Sequence, residues 1–118
     1  FGLAGHARNV AAASGVTARI DLAQVPLFTG AHALAGEGFC SGGSARGRKA
    51  LGDQVKVADG LDEALVSLAF DAETSGGLLI SVNEGDAAAL EAALEDRGVL
   101  AVRIGGGVEA AGCDVELC

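Results

Sequence analysis

The 118-residue chain has no tryptophan, tyrosine or methionine, only four phenylalanines and a single proline. Its core must therefore consist of closely packed alanine, valine, leucine and isoleucine. Basic residues number 8 against 16 acidic ones, for a net charge of −8, which argues against nonspecific binding to nucleic acid or to an anionic membrane. No apolar run approaches the roughly 20 residues that span a bilayer. We expect a cytoplasmic protein with no nucleic-acid or membrane partner.

The three cysteines, Cys40, Cys113 and Cys118, follow no C-x-x-C or mixed Cys/His spacing, so the sequence predicts no metal site. We expect free thiols. A bridge between Cys113 and Cys118 remains an alternative if the residues between them form a tight turn.

Glycine is abundant, at 19 residues, and indicates many tight turns. The length fits one domain with its own core. Because the chain has no methionine and begins at Phe1 inside a glycine-containing motif, we expect it to be one domain, residues 1–118, of a longer protein.

Apolar periodicity predicts helices and strands that alternate along the chain, which is typical of an α/β or α+β domain with helices packed on a sheet. We predict a first helix capped by Gly15, a later helix with Asp59 as its N-cap, and a turn at Gly105–Ala110, too close to Cys118 for a dinucleotide-binding unit. In full, the predicted helices cover residues 3–14, 31–35, 61–68 and 87–94, and the predicted strands cover 16–22, 55–57, 78–82, 100–104 and 115–117, the last at an edge.

The most informative segment runs from Asp71 to Ile80, where Thr74-Ser75-Gly76-Gly77 leads into an apolar stretch, Leu78–Val82. Glycine permits close approach to the backbone, and hydroxyls and free amides suit phosphate or another anion. A plain turn before a buried strand uses the same residues and remains an alternative.

A second glycine-rich segment, Cys40–Gly47, is predicted to be a loop. It lacks the Lys-Ser/Thr pair of a phosphate-binding P-loop, since Arg48 and Lys49 stand at those positions. Arg46, Arg48 and Lys49 nevertheless lie beside glycine amides. The cluster is either an anion site or a solvated basic turn.

His6, at the start of the first helix, either hydrogen-bonds a ligand or contacts a neighbouring loop. His32 is predicted to lie on the surface. Asp71 either caps its own turn or helps to hold a metal-bound phosphate. No set of nucleophile, base and acid can be assembled from these residues.

Three segments together resemble selenophosphate synthetase (selenide, water dikinase). Asp71–Leu79 is similar to that family's Asp-Pro-Gln-Thr-Ser-Gly-Gly-Leu-Leu signature, Phe1–His6 to the Gly-Phe-Gly-Leu-x-Gly-His that opens its C-terminal domain, and Ser41–Arg48 to its Pro-Gly-Gly-Thr-x-x-Asn-Arg segment. Their order and spacing agree over nearly the whole chain. The chain departs from the family at Ala72, Glu73, Ser44 and Gly47, where the family has proline, glutamine, threonine and asparagine.

The resemblance implies a mixed sheet with helices packed on it, like the C-terminal domain of aminoimidazole ribonucleotide synthetase. It also implies that the parent enzyme converts ATP, selenide and water to selenophosphate, AMP and phosphate with Mg²⁺. The reactive cysteine or selenocysteine and most Mg²⁺-binding aspartates would belong to an N-terminal domain, and the parent would be a homodimer. This chain alone would be inactive, with no catalytic residue of its own.

The same resemblance implies that three segments line the nucleotide cleft opposite that N-terminal domain. The residues expected to bind ATP are Gly2, Gly5, His6, Gly42, Gly43, Ser44, Arg46, Arg48, Thr74, Ser75, Gly76 and Gly77. Two other readings stay open: a domain of another ATP-dependent member of the superfamily, from purine synthesis or hydrogenase maturation, or a binding module without catalysis.

Overall fold

The computed structural model describes all residues, 1–118. Five α-helices accompany a four-stranded mixed sheet, which confirms the predicted α+β class. None of the helices combines the length and the apolarity that crossing a membrane requires. In chain order the structure contains α1 (Gly2–Ser14), β1 (Val16–Ile20), α2 (Ala31–Gly36), α3 (Gly42–Leu51), β2 (Val55–Val57), α4 (Glu63–Ala69), α5 (Glu84–Glu95), β3 (Gly105–Glu109) and β4 (Val115–Leu117).

The sheet has the strand order β2-β4-β1-β3, with β4 parallel to both of its neighbours and β3 antiparallel to β1. The last strand is therefore an inner strand, and its prediction as an edge strand was wrong. Val115 and Leu117 are fully buried. Short strands are typical of sheet edges, and β4 has only three residues. It is buried because it pairs with β1 on one side and β2 on the other.

Strand β3 contains the glycine run Gly105–Gly107, for which a turn was predicted. Glycine is weak in strands, so the sequence carried no strand signal there. The absent side chain allows Gly105 to approach β1 so closely that a Cβ atom would overlap the carbonyl oxygen of Arg19. The glycine run therefore allows the backbones of β3 and β1 to pair closely.

The core lies between the sheet and the helices α1 and α4, and it is built mainly from small aliphatic side chains as the composition predicts. Helix α1 ends as predicted at Gly15, which adopts a left-handed φ of 65°. The main core cluster comprises Ala4, Ala7, Ile20, Leu22, Val55, Val66, Ala69, Phe70, Val115 and Leu117.

Two predictions about helix starts were wrong. The glycine-rich segment predicted to be a loop forms α3, because the Ser41 side chain caps it by accepting from the Ser44 amide at 3.2 Å. Arg48 and Lys49 lie in its last turn, where cations stabilise a helix. Helix α4 is capped by Asp62, whose carboxylate accepts from the Ala64 amide at 2.8 Å, and Asp59 lies outside the helix.

Residues 72–103 form a segment that we call the exposed segment; the remainder, 1–71 and 104–118, is the packed body. The exposed segment contains α5, which was predicted, but no residue of α5 is buried. The strands predicted at Leu78–Val82 and Leu100–Ile104 are wrong: neither stretch belongs to the sheet, and residues 77–82 make no backbone–backbone hydrogen bond. Their apolar residues favour strands, but neither stretch pairs with a strand of the sheet.

Candidate functional site

The end of α4, Phe70 and Asp71, is the point where the three candidate segments meet. The Asp71 carboxylate oxygen Oδ1 accepts hydrogen bonds from the hydroxyls of Ser41 at 2.7 Å and Ser44 at 2.5 Å. The two hydroxyls lie 3.0 Å apart. Asp71 thereby links the loop formed by the signature residues 71–79, which we call the signature loop, to the N-terminus of α3. Neither of the two roles considered for Asp71 from the sequence included this contact.

These hydroxyls also set the charge state of the carboxylate. Hydrogen bonding by Ser44, and to a lesser extent by Ser41, holds the pKa of Asp71 below its ordinary value. Donors that bond the ionised form favour it. Asp71 therefore stays ionised at neutral pH without a cation as its direct partner.

The first segment reaches the same point through Gly2. This residue has a φ of 65°, and a Cβ atom on it would lie 2.7 Å from the carbonyl oxygen of Asp71. Gly5 packs equally closely, since its Cβ would lie 2.7 Å from the Cβ of Phe1. Both glycines are buried, but only Gly2 brings α1 against the end of α4, because Gly5 packs on Phe1 and Leu51.

The N-terminus of α3 has the features of an anion site. The amides of Gly42 and Gly43 have no backbone partner, as expected in the first turn of a helix. The Arg46 guanidinium folds back over this turn, with Nη1 3.2 Å from where a Gly42 Cβ would lie. Two free amides and one cation thus lie within a single turn.

Arg48 has a different environment from Arg46. Its guanidinium pairs with the Glu63 carboxylate and lies over the Phe70 ring, 5.8 Å from the ring centroid. Arg46 and Lys49 take part in none of the five ion pairs. Of the three basic residues, these two remain available for an external anion.

Two grooves share Arg48 and Phe70. The smaller, of about 420 Å³, contains Ser44 and Lys49, whereas the larger, of about 580 Å³, runs along β2 and contains neither. The smaller groove is therefore the one that adjoins the junction at Asp71.

The signature loop continues from Asp71 into a tight turn. The Gly76 amide donates to the Glu73 carbonyl at 3.1 Å, and residues 72–77 are all exposed. The hydroxyls of Thr74 and Ser75 lie in this turn, and no atom lies within 4 Å of where a Gly77 Cβ would be. The turn is thus accessible to a ligand.

The two histidines lie apart from these contacts. His6 is exposed in the second turn of α1 and makes an edge-on contact with the Phe1 ring, with centroids 6.3 Å apart. His32 is on the surface, as predicted, and its Nε2 lies 2.7 Å from Asp62. That contact, followed by the Ala64 amide, holds the pKa of Asp62 below its ordinary value.

The structure thus brings Gly2 and Ser44, each by a separate contact, against Asp71 and leaves His6 at the periphery. Sequence reasoning missed Ser41 and Phe70. A serine that precedes two glycines and is followed three residues later by Ser44 is an N-cap signal, which could have identified Ser41. Nothing in the sequence indicated Phe70 as the platform for Arg48.

No group of three or more His, Cys, Asp or Glu side chains lies close enough together to hold a metal ion. All three cysteines are free thiols, which confirms that prediction, and the alternative bridge between Cys113 and Cys118 is not formed.

Comparison with known proteins assigns the chain to a family. The family model described as "AIR synthase related protein, C-terminal domain" matches residues 1–117. Similar proteins named selenide, water dikinase include those of Nitratidesulfovibrio vulgaris (41% identical, covering 89% of this chain and 30% of the relative), Geobacter metallireducens (41%, 90% and 31%) and Caldanaerobacter subterraneus (48%, 71% and 24%).

The chain spans between about a quarter and a third of the length of these relatives. The match to the family model extends over all elements from α1 to β4. The chain therefore belongs to the family of AIR synthase related C-terminal domains.

Proposed function

We propose that this chain is the C-terminal domain of a selenophosphate synthetase, which forms selenophosphate, AMP and phosphate from ATP, selenide and water. Relatives that are 37–48% identical and named selenide, water dikinase support this assignment. The observation that carries it is the meeting of the three resembling segments at Asp71, because separate motifs that line one ligand must lie close together in the fold.

The proposed role of the domain is to close a wall over the phosphates of ATP. Phosphoryl transfer depends on positioning and on neutralising charge. The free amides of Gly42 and Gly43, the Arg46 guanidinium and the exposed Thr74–Gly77 turn supply donors and positive charge for that purpose. Mg²⁺ and most of its ligands, together with the reactive cysteine or selenocysteine, would come from the chain's own N-terminal domain in a cytoplasmic homodimer.

Gly2 and Gly5 have an indirect role in this proposal. Both are buried against neighbouring backbone or side chain, so they shape the wall rather than touch the nucleotide. Gly47 stands where the family has asparagine. A Cβ atom at this position would lie 3.9 Å from the Phe70 carbonyl oxygen, an ordinary contact distance. A change from asparagine at this position is compatible with the fold.

Complementation tests the proposal. The chain is mixed with the separately expressed N-terminal two thirds of the Nitratidesulfovibrio vulgaris relative, and selenide-dependent formation of selenophosphate and AMP is followed by ³¹P NMR. We expect activity from the mixture and none from this chain alone. Activity of the 118 residues alone, or a stable but inactive complex, would contradict the proposal.

A matched pair of variants assigns the anion site. Arg46→Gln removes a free cation beside the α3 amides, and we expect about a tenfold loss of activity in the complemented enzyme, the value of one charge-assisted contact. Arg97→Gln removes a cation at the far end of α5 and should leave activity unchanged. Equal losses in both variants would mean that general charge, and not this site, matters.

The second candidate is another ATP-dependent member of the superfamily. It is favoured by the breadth of the family description, which refers to AIR synthase related proteins in general. Identification of the product separates the two candidates, because only a selenophosphate synthetase forms a selenium–phosphorus bond. Nucleotide affinity without turnover in the complemented protein would instead favour a binding module.

A further inference from the structure

The exposed segment is joined to the packed body at Asp71. Upstream of this residue, Ala69 and Phe70 are buried, whereas residues 72–77 are exposed. No later residue of the exposed segment is buried. The position of the Thr74–Gly77 turn therefore depends on how Asp71 is held.

Asp71 is held from two sides. Its carbonyl oxygen faces Gly2, where a side chain would lie 2.7 Å away. Its carboxylate receives the Ser41 and Ser44 hydroxyls, and Ser44 is only 4% exposed. A residue fixed through both its backbone and its side chain has little freedom to rotate, so it sets the direction in which the chain leaves α4.

We propose that Asp71 is a positioning residue whose carboxylate fixes the Thr74–Gly77 turn beside the N-terminus of α3, so that the turn and the Gly42–Gly43 amides form a single ligand site. The turn begins only two residues after Asp71, since Glu73 accepts from the Gly76 amide. Loss of the Ser44–Asp71 contact would let the turn move away from α3 without unfolding the core. Joint binding of phosphate rests on the proposed function; the position of the turn does not.

Amide hydrogen exchange of the ¹⁵N-labelled 118-residue chain tests the inference. In Asp71→Ala, which removes the oxygen acceptor, and in Ser44→Ala, which removes a hydroxyl donor, we expect the Gly76 amide to exchange about tenfold faster, as for the loss of a hydrogen bond to a charged group. The double variant should exchange no faster than Asp71→Ala alone, because Asp71→Ala already lacks the acceptor of the Ser44 hydroxyl.

Two further variants separate positioning from general stability. Ser44→Thr keeps the hydroxyl and should restore exchange close to the native rate. Asp59→Asn removes a carboxylate from an exposed residue outside α4 and should change nothing. Unchanged exchange in Ser44→Ala, no restoration by Ser44→Thr, or faster exchange that is uniform over the whole chain would overturn the proposal.

Titration with inorganic pyrophosphate then distinguishes this inference from the proposed function. If the Gly43 and Gly76 amides shift with one common dissociation constant that Ser44→Ala weakens about tenfold, both stand. Different constants for the two amides would overturn the single site. If the native chain binds no pyrophosphate while Gly76 exchange still depends on Ser44, the fixed turn stands and its phosphate-binding role is overturned.

Discussion

Helices α4 and α5 show how differently the two regions of the molecule use similar sequences. Both are rich in alanine and leucine, yet the seven-residue α4 buries Ala64, Val66 and Ala69, whereas the twelve-residue α5 buries nothing. Helix α4 contacts α1, α2 and α3, whereas α5 has no comparable neighbour. Apolar periodicity therefore predicts that a helix exists, and only a neighbouring surface decides whether it contributes to stability.

The largest expected contrast comes from one leucine in each region. Leu117 is fully buried and Leu78 is 88% exposed. Leu117→Ala should lower the free energy of unfolding by about 2–5 kcal/mol, because it leaves a cavity in the core. Leu78→Ala should change it by less than about 0.5 kcal/mol. Urea denaturation measures both, and a similar loss for both would show that the exposed segment is packed in solution.

Glycine substitutions give the next contrast. Gly2→Ala should cost at least about 1–2 kcal/mol for its left-handed backbone, with a further cost because the new Cβ would lie 2.7 Å from the Asp71 carbonyl oxygen. Gly77→Ala meets no atom within 4 Å and should be nearly neutral. Thermal unfolding of the two variants checks this, and a tolerated Gly2→Ala would mean that α1 does not pack against Asp71 as described.

A smaller effect of opposite sign is expected inside the helices. Gly47→Ala has room in α3, with 3.9 Å to the Phe70 carbonyl oxygen, and should stabilise the protein by about 0.5–1 kcal/mol. Gly85→Ala should raise the helix content of α5 seen by circular dichroism without moving the unfolding midpoint, because α5 is not coupled to the core. A shift of the midpoint by Gly85→Ala would remove the distinction between the regions.

The smallest expected effect is the pH dependence at the junction between the regions. Hydrogen bonds from Ser44 and Ser41 lower the pKa of Asp71 from 3.8, so its contribution is complete above that pH and is lost as the pH falls through the lowered value. Since solvent screens this site, we expect less than about 1 kcal/mol. The difference in unfolding free energy between the native chain and Asp71→Asn should shrink below pH 3.8; growth on acidification would contradict the assignment.

Much of the fold could be predicted from the sequence because local signals were strong. Regular apolar spacing and Gly15 define α1, and alternation defines β1. Local signals failed where glycine dominated. Helix α3 was not predicted because Gly42 and Gly43 have weak helix propensity and the helix depends on the Ser41 cap. Strand β3 was not predicted because Gly105–Gly107 gives no strand signal and the strand depends on close approach to β1.

The candidate site was predictable only in part for a related reason. Family resemblance pointed to Ser44 and to the Thr74–Gly77 turn, because each of them belongs to a short motif of neighbouring residues. The contact between Ser41 and Asp71 joins residues 30 positions apart and exists only because α4 packs beside α3. Likewise, the apolar run at Leu78–Val82 predicts a strand, but no sequence pattern states whether a partner strand lies alongside.

The inner position of β4 has a consequence for how the chain folds. Val115 pairs with Ala18 in β1 and with Val55 in β2, so the middle of the sheet closes loops that cover most of the chain. Such non-local pairing makes folding slow, since the entropy of loop closure is lost before the contacts form. During synthesis, β1 and β2 must wait for β4 to leave the ribosome, and their unpaired edges stay open to aggregation until Leu117 is in place.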